Sequence, residues 1–366
     1  MKERMIIISG GGTGGHLYPA LVVGRKLREM DGSIELTYIG THRDVEKKIM
    51  DEYGVRFIPM RIEGLKGRGF RSLKALAILP LSFAQSFSIL RRTKPGLVIG
   101  VGGYSSGPIV LLASWQGIPT LIMEQNAHPG FTNRLLARWV RKAVVAFESS
   151  LPYFRGKGVC LGNPVREEFY ALPAKARSGP LSVLVFGGSQ GSRFLNEKVT
   201  AALPLLVPLR DRFRIVHQTG TRDLDWVVSK YRASGFDPDA VAPYISDMPG
   251  AFGRADLVVS RAGATTLAEI IAARKAAILV PFAGASEDHQ TANARELEWV
   301  GGAEVIPEVR LTPETVAGRL FHYLSRPADL DAMETSLLSL RTENPASKIA
   351  GLCLSLMDGH APELHS

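Results

Sequence analysis

Gly10-Gly11-Gly12-Thr13-Gly14-Gly15-His16 decides how the chain is read. It follows the apolar, β-branched run Met5–Ser9 and precedes the amphipathic segment Tyr18–Met30, so it is the turn of a strand–loop–helix unit. Glycines suit that turn for two reasons. They adopt backbone angles closed to other residues, and they let main-chain N–H groups approach a phosphate at a helix N-terminus. Gly10, Gly12 and Gly15 also satisfy the G-x-G-x-x-G dinucleotide fingerprint, which expects an acidic residue at the end of the second strand. That strand ends here at Ile39-Gly40-Thr41-His42, and Asp44 arrives only later. An NAD-dependent oxidoreductase is therefore a weakened alternative. No Gly-Lys-Ser/Thr closes the loop, which excludes a P-loop.

Outward from this loop, strand runs alternate with helical stretches. Strands are expected at Glu35–Ile39, Leu97–Val101, Thr120–Met123 and Ala143–Ala146, with a helix over Asn133–Val140. Such alternation predicts an α/β fold with a parallel sheet covered by helices on both faces. The pattern then restarts at Leu181–Phe186, with further strands at Phe213–His217, Leu257–Ser260, Ala277–Val280 and Ala303–Ile306. The turn-rich Gly162-Asn163-Pro164-Val165-Arg166 marks a junction, giving domains over 1–163 and 164–343. A helix over about 344–366 is expected to pack back on the first domain. Two further glycine loops also follow strands, Gly102-Gly103-Tyr104-Ser105-Ser106-Gly107-Pro108 and Gly187-Gly188-Ser189-Gln190-Gly191-Ser192. Ligands of open parallel sheets sit outside the carboxyl ends of the strands. Three such loops in two doubly wound domains predict a cleft rimmed by backbone donors from each half.

Composition narrows the function classes. The chain has 366 residues, 45% hydrophobic and 22% charged, which fits a globular protein of two domains. Gly10 cuts the first apolar run too short for a signal-peptide core, and no run is long enough to span a bilayer. Two cysteines, Cys160 and Cys353, define no framework and no metal-ligand spacing, so a reducing cytoplasm is expected. Net charge is +9, from 44 Lys and Arg against 35 Asp and Glu. A basic surface attracts phosphorylated substrates or anionic lipid. The signatures of nucleic-acid binding are absent from the sequence, so no nucleic acid is expected.

The motifs, taken in order, resemble the MurG family of UDP-N-acetylglucosamine transferases, which convert lipid I to lipid II in peptidoglycan synthesis. The matching segments are Gly10–His16, Gly64-Leu65-Lys66-Gly67-Arg68-Gly69, Gly102–Pro108, Glu124-Gln125-Asn126, Gly162–Arg166, Gly187–Arg193, Ser260–Thr266, Glu269, and Asp288-His289-Gln290 with Asn293. Departures are Ala262 where serine is common, Arg274-Lys275-Ala276 in place of Gly-Lys-Pro, and Ser105 in place of valine. The resemblance implies a GT-B architecture of two Rossmann-like domains and an inverting mechanism. It places acceptor and membrane contacts on the first domain and donor binding on the second. An alternative from another class is a non-catalytic nucleotide-sugar-binding partner; loss of His16, Arg166 or Glu269 would mark it, and all three are present.

Residue chemistry fills in the roles. A departing diphosphate gathers negative charge, which suits Ser189 and the N–H groups through Gly191 at a helix start, with Arg166 as a mobile cation. Together these could replace a metal; no Asp-x-Asp pair is present, so no cofactor is required and Mg²⁺ assistance is not implied by a motif. A histidine titrates near neutrality, so His16 is the candidate general base. Glu124 is a reserve base, and Asn126 positions the attacking hydroxyl. Gln290 and Asn293 are amides that can select sugar hydroxyls. By resemblance, Glu269 accepts the ribose hydroxyls and the Ile245 backbone contacts uracil. Thr13, Gly14, Gly15, Ala264, Thr265 and Thr266 join the donor set, and Lys66, Arg68, Tyr104 and Ser105 the acceptor set. Leu76, Leu79, Phe83 and Phe87 recur at helical spacing among basic residues, and Trp115 adds to them, which suits an anionic bilayer. The same stripe could pack on the sheet instead. The implied partners are UDP-N-acetylglucosamine, an undecaprenyl-linked acceptor, the cytoplasmic membrane surface and other cell-wall synthesis proteins.

Overall fold

The computed structural model describes residues 4–11, 14–42, 44–60, 62, 70–174, 177, 179–343 and 345–359. They form two compact units, one of residues 1–165 with 343–366 and the other of residues 166–342.

The first unit is built on strands β1 (Arg4–Ser9), β2 (Ile34–Gly40), β3 (Arg56–Pro59), β4 (Leu97–Gly100), β5 (Thr120–Glu124), β6 (Lys142–Val145) and β7 (Gly158–Cys160). Between them run α1 (Gly14–Met30), α2 (Asp44–Glu52), α3 (Phe70–Thr93), α4 (Ser106–Trp115) and α5 (Phe131–Leu136). The strands pair in parallel in the order β3-β2-β1-β4-β5-β6-β7. Central strands of such a sheet are covered on both faces, which is why β4 reads Leu-Val-Ile-Gly with every residue buried. Ile7, Val98 and Ile122 face Leu90, Ile109, Val110 and Leu136 from α3, α4 and α5. Ile6, Ile8, Leu97 and Ile99 face Leu17, Val23 and Leu27 from α1. The strand order reverses between β1 and β4, which makes their carboxyl ends a topological switch point.

The second unit repeats the plan. Its strands are β8 (Leu181–Phe186), β9 (Phe213–Gln218), β10 (Val241–Ala242), β11 (Leu257–Ser260), β12 (Ala277–Leu279) and β13 (Ala303–Val305). Its helices are α6 (Glu167–Tyr170), α7 (Arg193–Leu206), α8 (Leu224–Ala233), α9 (Met248–Arg254), α10 (Ala264–Ala273), α11 (His289–Trp299), α12 (Pro313–Ser325) and α13 (Pro327–Ser336). The parallel order is β10-β9-β8-β11-β12-β13, so the switch point lies between β8 and β11. On one face Val183, Val185 and Val259 pack against Leu195, Val199, Val227 and Leu320 from α7, α8 and α12. The last helix, α14 (Pro345–Met357), belongs to the first unit, where it packs on α1 and adds Ile349, Leu352 and Cys353 to the core. Burial raises the Cys353 thiol to about 12, so it is an inert core residue.

The structure also departs from the expected elements. β3, β7 and β10 have no counterpart in the sequence reading, and the helix expected over Asn133–Val140 is the shorter α5. All three missed strands are edge strands of two to four residues, too short to show a period. The expected helix over 344–366 is described only as Pro345–Met357, and residues 360–366 lie outside the described set.

Candidate functional site

In the first unit, backbone meets backbone at the switch point. Gly103 has φ of 77°, and a Cβ there would stand 2.5 Å from the Gly11 carbonyl oxygen, so only glycine lets the loop after β4 lie on the loop after β1. Beside it, a Cβ on Gly102 would lie 3.0 Å from Cε1 of His16. His16 sits in the first turn of α1, and its Nδ1 is 3.0 Å from Oε1 of Gln125, at the end of β5. An amide oxygen only accepts, so this contact is made by the tautomer with its hydrogen on Nδ1, whose lone pair is on Nε2. Nε2 has no hydrogen bond to a described residue. Gln125 is 2% exposed, and its Nε2 is buried with no partner among the described residues. The imidazole thus spans the ends of β1, β4 and β5 with one nitrogen committed and the other available.

The second unit builds a different surface from the same plan. After β8, Gly188 and Gly191 take φ of 96° and 75°, and the Gly191 N–H donates to the Gly188 carbonyl at 3.0 Å, forming a turn that leaves Ser189 exposed. Ser192 caps α7, accepting from the Leu195 N–H at 3.4 Å and from Arg261 Nε at 2.9 Å. Arg261 is itself buried and ion-paired to Glu308 at 2.6 Å, which ties the loop after β11 to the loop after β8. Across the switch point α10 starts at Ala264, with Gly263 as an N-cap that supplies no side-chain bond. Two helix starts beside one switch point concentrate partial positive charge.

Glu269 lies little more than a turn into α10. Its carboxylate has no hydrogen bond or ion pair to a described residue. Burial pushes it from 4.5 up to about 7, while the Arg166 guanidinium pulls the other way. Arg166 precedes α6, stacks 5.4 Å over the Phe169 ring, and forms no salt bridge with a described residue. Glu269 is half-buried and feels the charge of Arg166 without a salt bridge between them, so both groups can engage a ligand.

Comparison with known proteins agrees with this geometry. Residues 6–145 match the model of the glycosyltransferase family 28 N-terminal domain, and residues 182–350 that of the family 28 C-terminal domain. A relative from Myxococcus xanthus named UDP-N-acetylglucosamine–N-acetylmuramyl-(pentapeptide) pyrophosphoryl-undecaprenol N-acetylglucosamine transferase is 45% identical over 356 residues, 96% of this chain and 93% of its own. One of the same name from Syntrophus aciditrophicus is 44% identical, covering 96% and 98%. Among solved structures, Acinetobacter baumannii MurG superposes with a TM-score of 0.78 at 30% identity, over 96% of this chain and 99% of that one. The chain belongs to the MurG group of glycosyltransferase family 28. It is a hexosyltransferase of GT-B type.

Several residues expected in the site of this MurG-type enzyme have partners within the protein. Glu124 is buried, and its two oxygens accept from the Asn126 N–H, Asn126 Nδ2, the Gly130 N–H and Asn133 Nδ2 at 2.8–3.1 Å. Those donors engage both carboxylate oxygens, so Glu124 braces the loop that carries Gln125 and Asn126. Asn293 is 0% exposed, with Nδ2 reaching the Ala262 carbonyl at 3.4 Å, which ties α11 to the loop after β11. Gln290 uses Oε1 to accept from the Phe282 N–H at 2.9 Å, which leaves its Nε2 as a donor. The Ile245 N–H is already given to Gln218 Oε1 at 2.7 Å, so its carbonyl is the backbone group left for a base. Ser105 is buried with no partner for its hydroxyl among the described residues, beside the half-buried Tyr104. Gly14 and Gly15 open α1. Ala264, Thr265 and Thr266 form the first turn of α10. Thr13, Lys66, Arg68 and the Leu76 side chain lie outside the described residues.

The apolar stripe of α3 is not simply its packed face. Ser82 and Ser86 are buried instead, their hydroxyls returned to the Ile78 and Ser82 carbonyls, while Leu79 and Phe83 are half-buried and Phe87 is 50% exposed. On the same side of the sheet Trp115 is 58% exposed and meets Trp139 edge-to-face at 5.9 Å, with Arg138 over the Trp139 ring. Leu135, also 58% exposed, and Phe131 extend this surface. The sequence reading did not single out Phe131, Leu135 and Trp139: Phe131 and Leu135 lie on the six-residue α5 and Trp139 in the turn after it, and so short an element does not show which side chains it leaves exposed. Gln125, Gln218 and Arg261 were missed because a buried side chain that positions another shows no sequence signal of its own.

Proposed function

We propose that this MurG-type enzyme moves N-acetylglucosamine from UDP-N-acetylglucosamine to the muramoyl sugar of undecaprenyl-linked lipid I, with inversion, giving lipid II. The observation that carries the donor assignment is the second unit's switch point: an exposed Ser189 turn and the start of α10, with Arg166 and Glu269 forming no salt bridge to a described residue. The turn amides and Arg166 take the charge growing on the departing diphosphate. Glu269 accepts the ribose hydroxyls, and Gln290 offers Nε2 to the sugar. The first unit is assigned to the acceptor. His16, held as the Nδ1–H tautomer by Gln125, removes the proton from the attacking hydroxyl with Nε2, and Asn126 orients that hydroxyl.

The oxidoreductase alternative finds no support at β2. The side chain of Asp44 lies outside the described residues, and Glu46 is buried and spent on the Thr41 N–H at 2.7 Å and hydroxyl at 2.8 Å. Peripheral binding at the cytoplasmic membrane face is supported by the exposed aromatics among arginines on α3, α4 and α5. No helix among the described residues is long and apolar enough to cross a membrane. Thermal unfolding tests the donor assignment. UDP at a hundred times its Kd should stabilise the protein by about 2.7 kcal/mol and raise Tm; NAD should not, and the reverse order would reject the reading.

A further inference from the structure

We propose that Gln218 is a positioning residue that couples recognition of the base to the grip on the diphosphate. This rests on the donor assignment above and deepens it.

Gln218 ends β9 and is 1% exposed. Its amide is used at both ends. Oε1 accepts the Ile245 N–H at 2.7 Å, and Nε2 donates to the Gly188 carbonyl at 2.9 Å. One side chain therefore bridges the loop assigned to uracil and the turn assigned to the diphosphate. The backbone around it is clamped between the same two segments. The Thr219 N–H donates to the Ala242 carbonyl at 2.9 Å and the Gly220 N–H to the Pro243 carbonyl at 3.1 Å, on the base side. On the phosphate side, a Cβ on Gly191 would stand 1.9 Å from the Thr219 carbonyl oxygen, and one on Gly220 would stand 2.3 Å from that of Gln190. His217 anchors the strand beneath. Its Nε2 and Nδ1 lie 3.0 and 3.1 Å from Asn196 Oδ1 and the Tyr231 hydroxyl, and Asn196 Nδ2 donates to the Thr219 carbonyl at 3.0 Å.

This bridge has a chemical consequence. With its N–H committed, Ile245 presents a carbonyl that accepts no hydrogen bond from a described residue. Uracil offers N3–H to such an acceptor, whereas cytosine offers a lone pair and repels it. By fixing the direction of that carbonyl, Gln218 sets the choice of base, and by holding Gly188 it fixes the Ser189 turn. A buried amide that loses a partner is costly, so the two loops move together or not at all.

Calorimetric titration of the full chain with UDP, CDP and uridine, with Tm measured in parallel, tests the proposal. The wild type should favour UDP over CDP by about tenfold or more. Gln218→Met removes both bonds and should weaken UDP binding by about 10- to 100-fold while erasing most of the preference for UDP over CDP. Gln218→Glu keeps an acceptor for Ile245 but loses the donor to Gly188. It should retain the base preference and lose much of the affinity that UDP gains over uridine. Wild-type ratios in both variants would overturn the coupling, as would equal loss of all three ligands in step with Tm. A wild type that does not distinguish UDP from CDP would reject base reading at Ile245, and the proposal with it.

Discussion

A neutral imidazole takes a proton from a sugar hydroxyl only when its accepting nitrogen is left unprotonated and uncommitted. The Gln125 oxygen achieves this by claiming Nδ1–H of His16. His16→Ala should lower kcat by about 10²- to 10⁴-fold, with the Kd for UDP nearly unchanged. Gln125→Leu should keep UDP affinity, lower kcat less, and alter its pH profile, because the ring loses its tautomer lock; steady-state kinetics between pH 6 and 9 check both. Glu269 carries a pH signature. Its ordinary carboxyl value is 4.5 and its folded value about 7, so below pH 4.5 both states hold the proton and burial costs no ionisation penalty. Between 4.5 and 7 the unfolded chain ionises first, so stability falls as pH rises, by up to about 3 kcal/mol at completion. Glu269→Gln should therefore raise Tm at pH 8 and leave it nearly unchanged at pH 4, while weakening UDP binding. A wild-type Tm advantage at pH 8 would contradict the assignment.

At the scale of elements, period and glycine punctuation carry most of what the sequence shows. β1, β4, β8 and β11 are buried on both faces, and their runs of Ile, Val and Leu mark them without ambiguity. Edge strands such as β10, with two residues, leave no such trace. The loops were legible because glycine answers a steric demand, as the Gly103 contact with Gly11 shows. The choice between Glu124 as base and as brace was not, because it depends on donors from Gly130 and Asn133, which only the folded loop brings to the carboxylate. The α3 stripe was ambiguous for a related reason: its serines close on their own helix carbonyls and take the buried positions that apolar residues usually fill. Exposed Phe87, Leu135 and Trp139 should then insert into a bilayer surface. Replacing all three with serine should cut partitioning onto vesicles containing anionic lipid by about tenfold or more, at unchanged Tm, with UDP binding intact. Undiminished vesicle binding in a sedimentation assay would reject this surface.

Across the whole molecule, one plan is used twice with different side chains. Each unit has a parallel sheet whose order reverses beside its first strand, and each places a glycine loop there. In the first unit the switch point holds an imidazole with an available nitrogen, which suits removal of a proton. In the second it holds turn amides and a helix start, with Arg166 acting on Glu269 of that helix, which suit a departing diphosphate. This division of labour is what the repeated strand–glycine–helix pattern makes legible. Transfer of radiolabelled sugar from UDP-N-acetylglucosamine to a lipid I analogue tests it most directly. The wild-type chain should form labelled disaccharide product, and His16→Ala and Arg166→Ala should each lose most of that turnover, the first with UDP binding retained and the second with it weakened. No labelled product from the folded wild-type chain, or full turnover in both variants, would contradict the account.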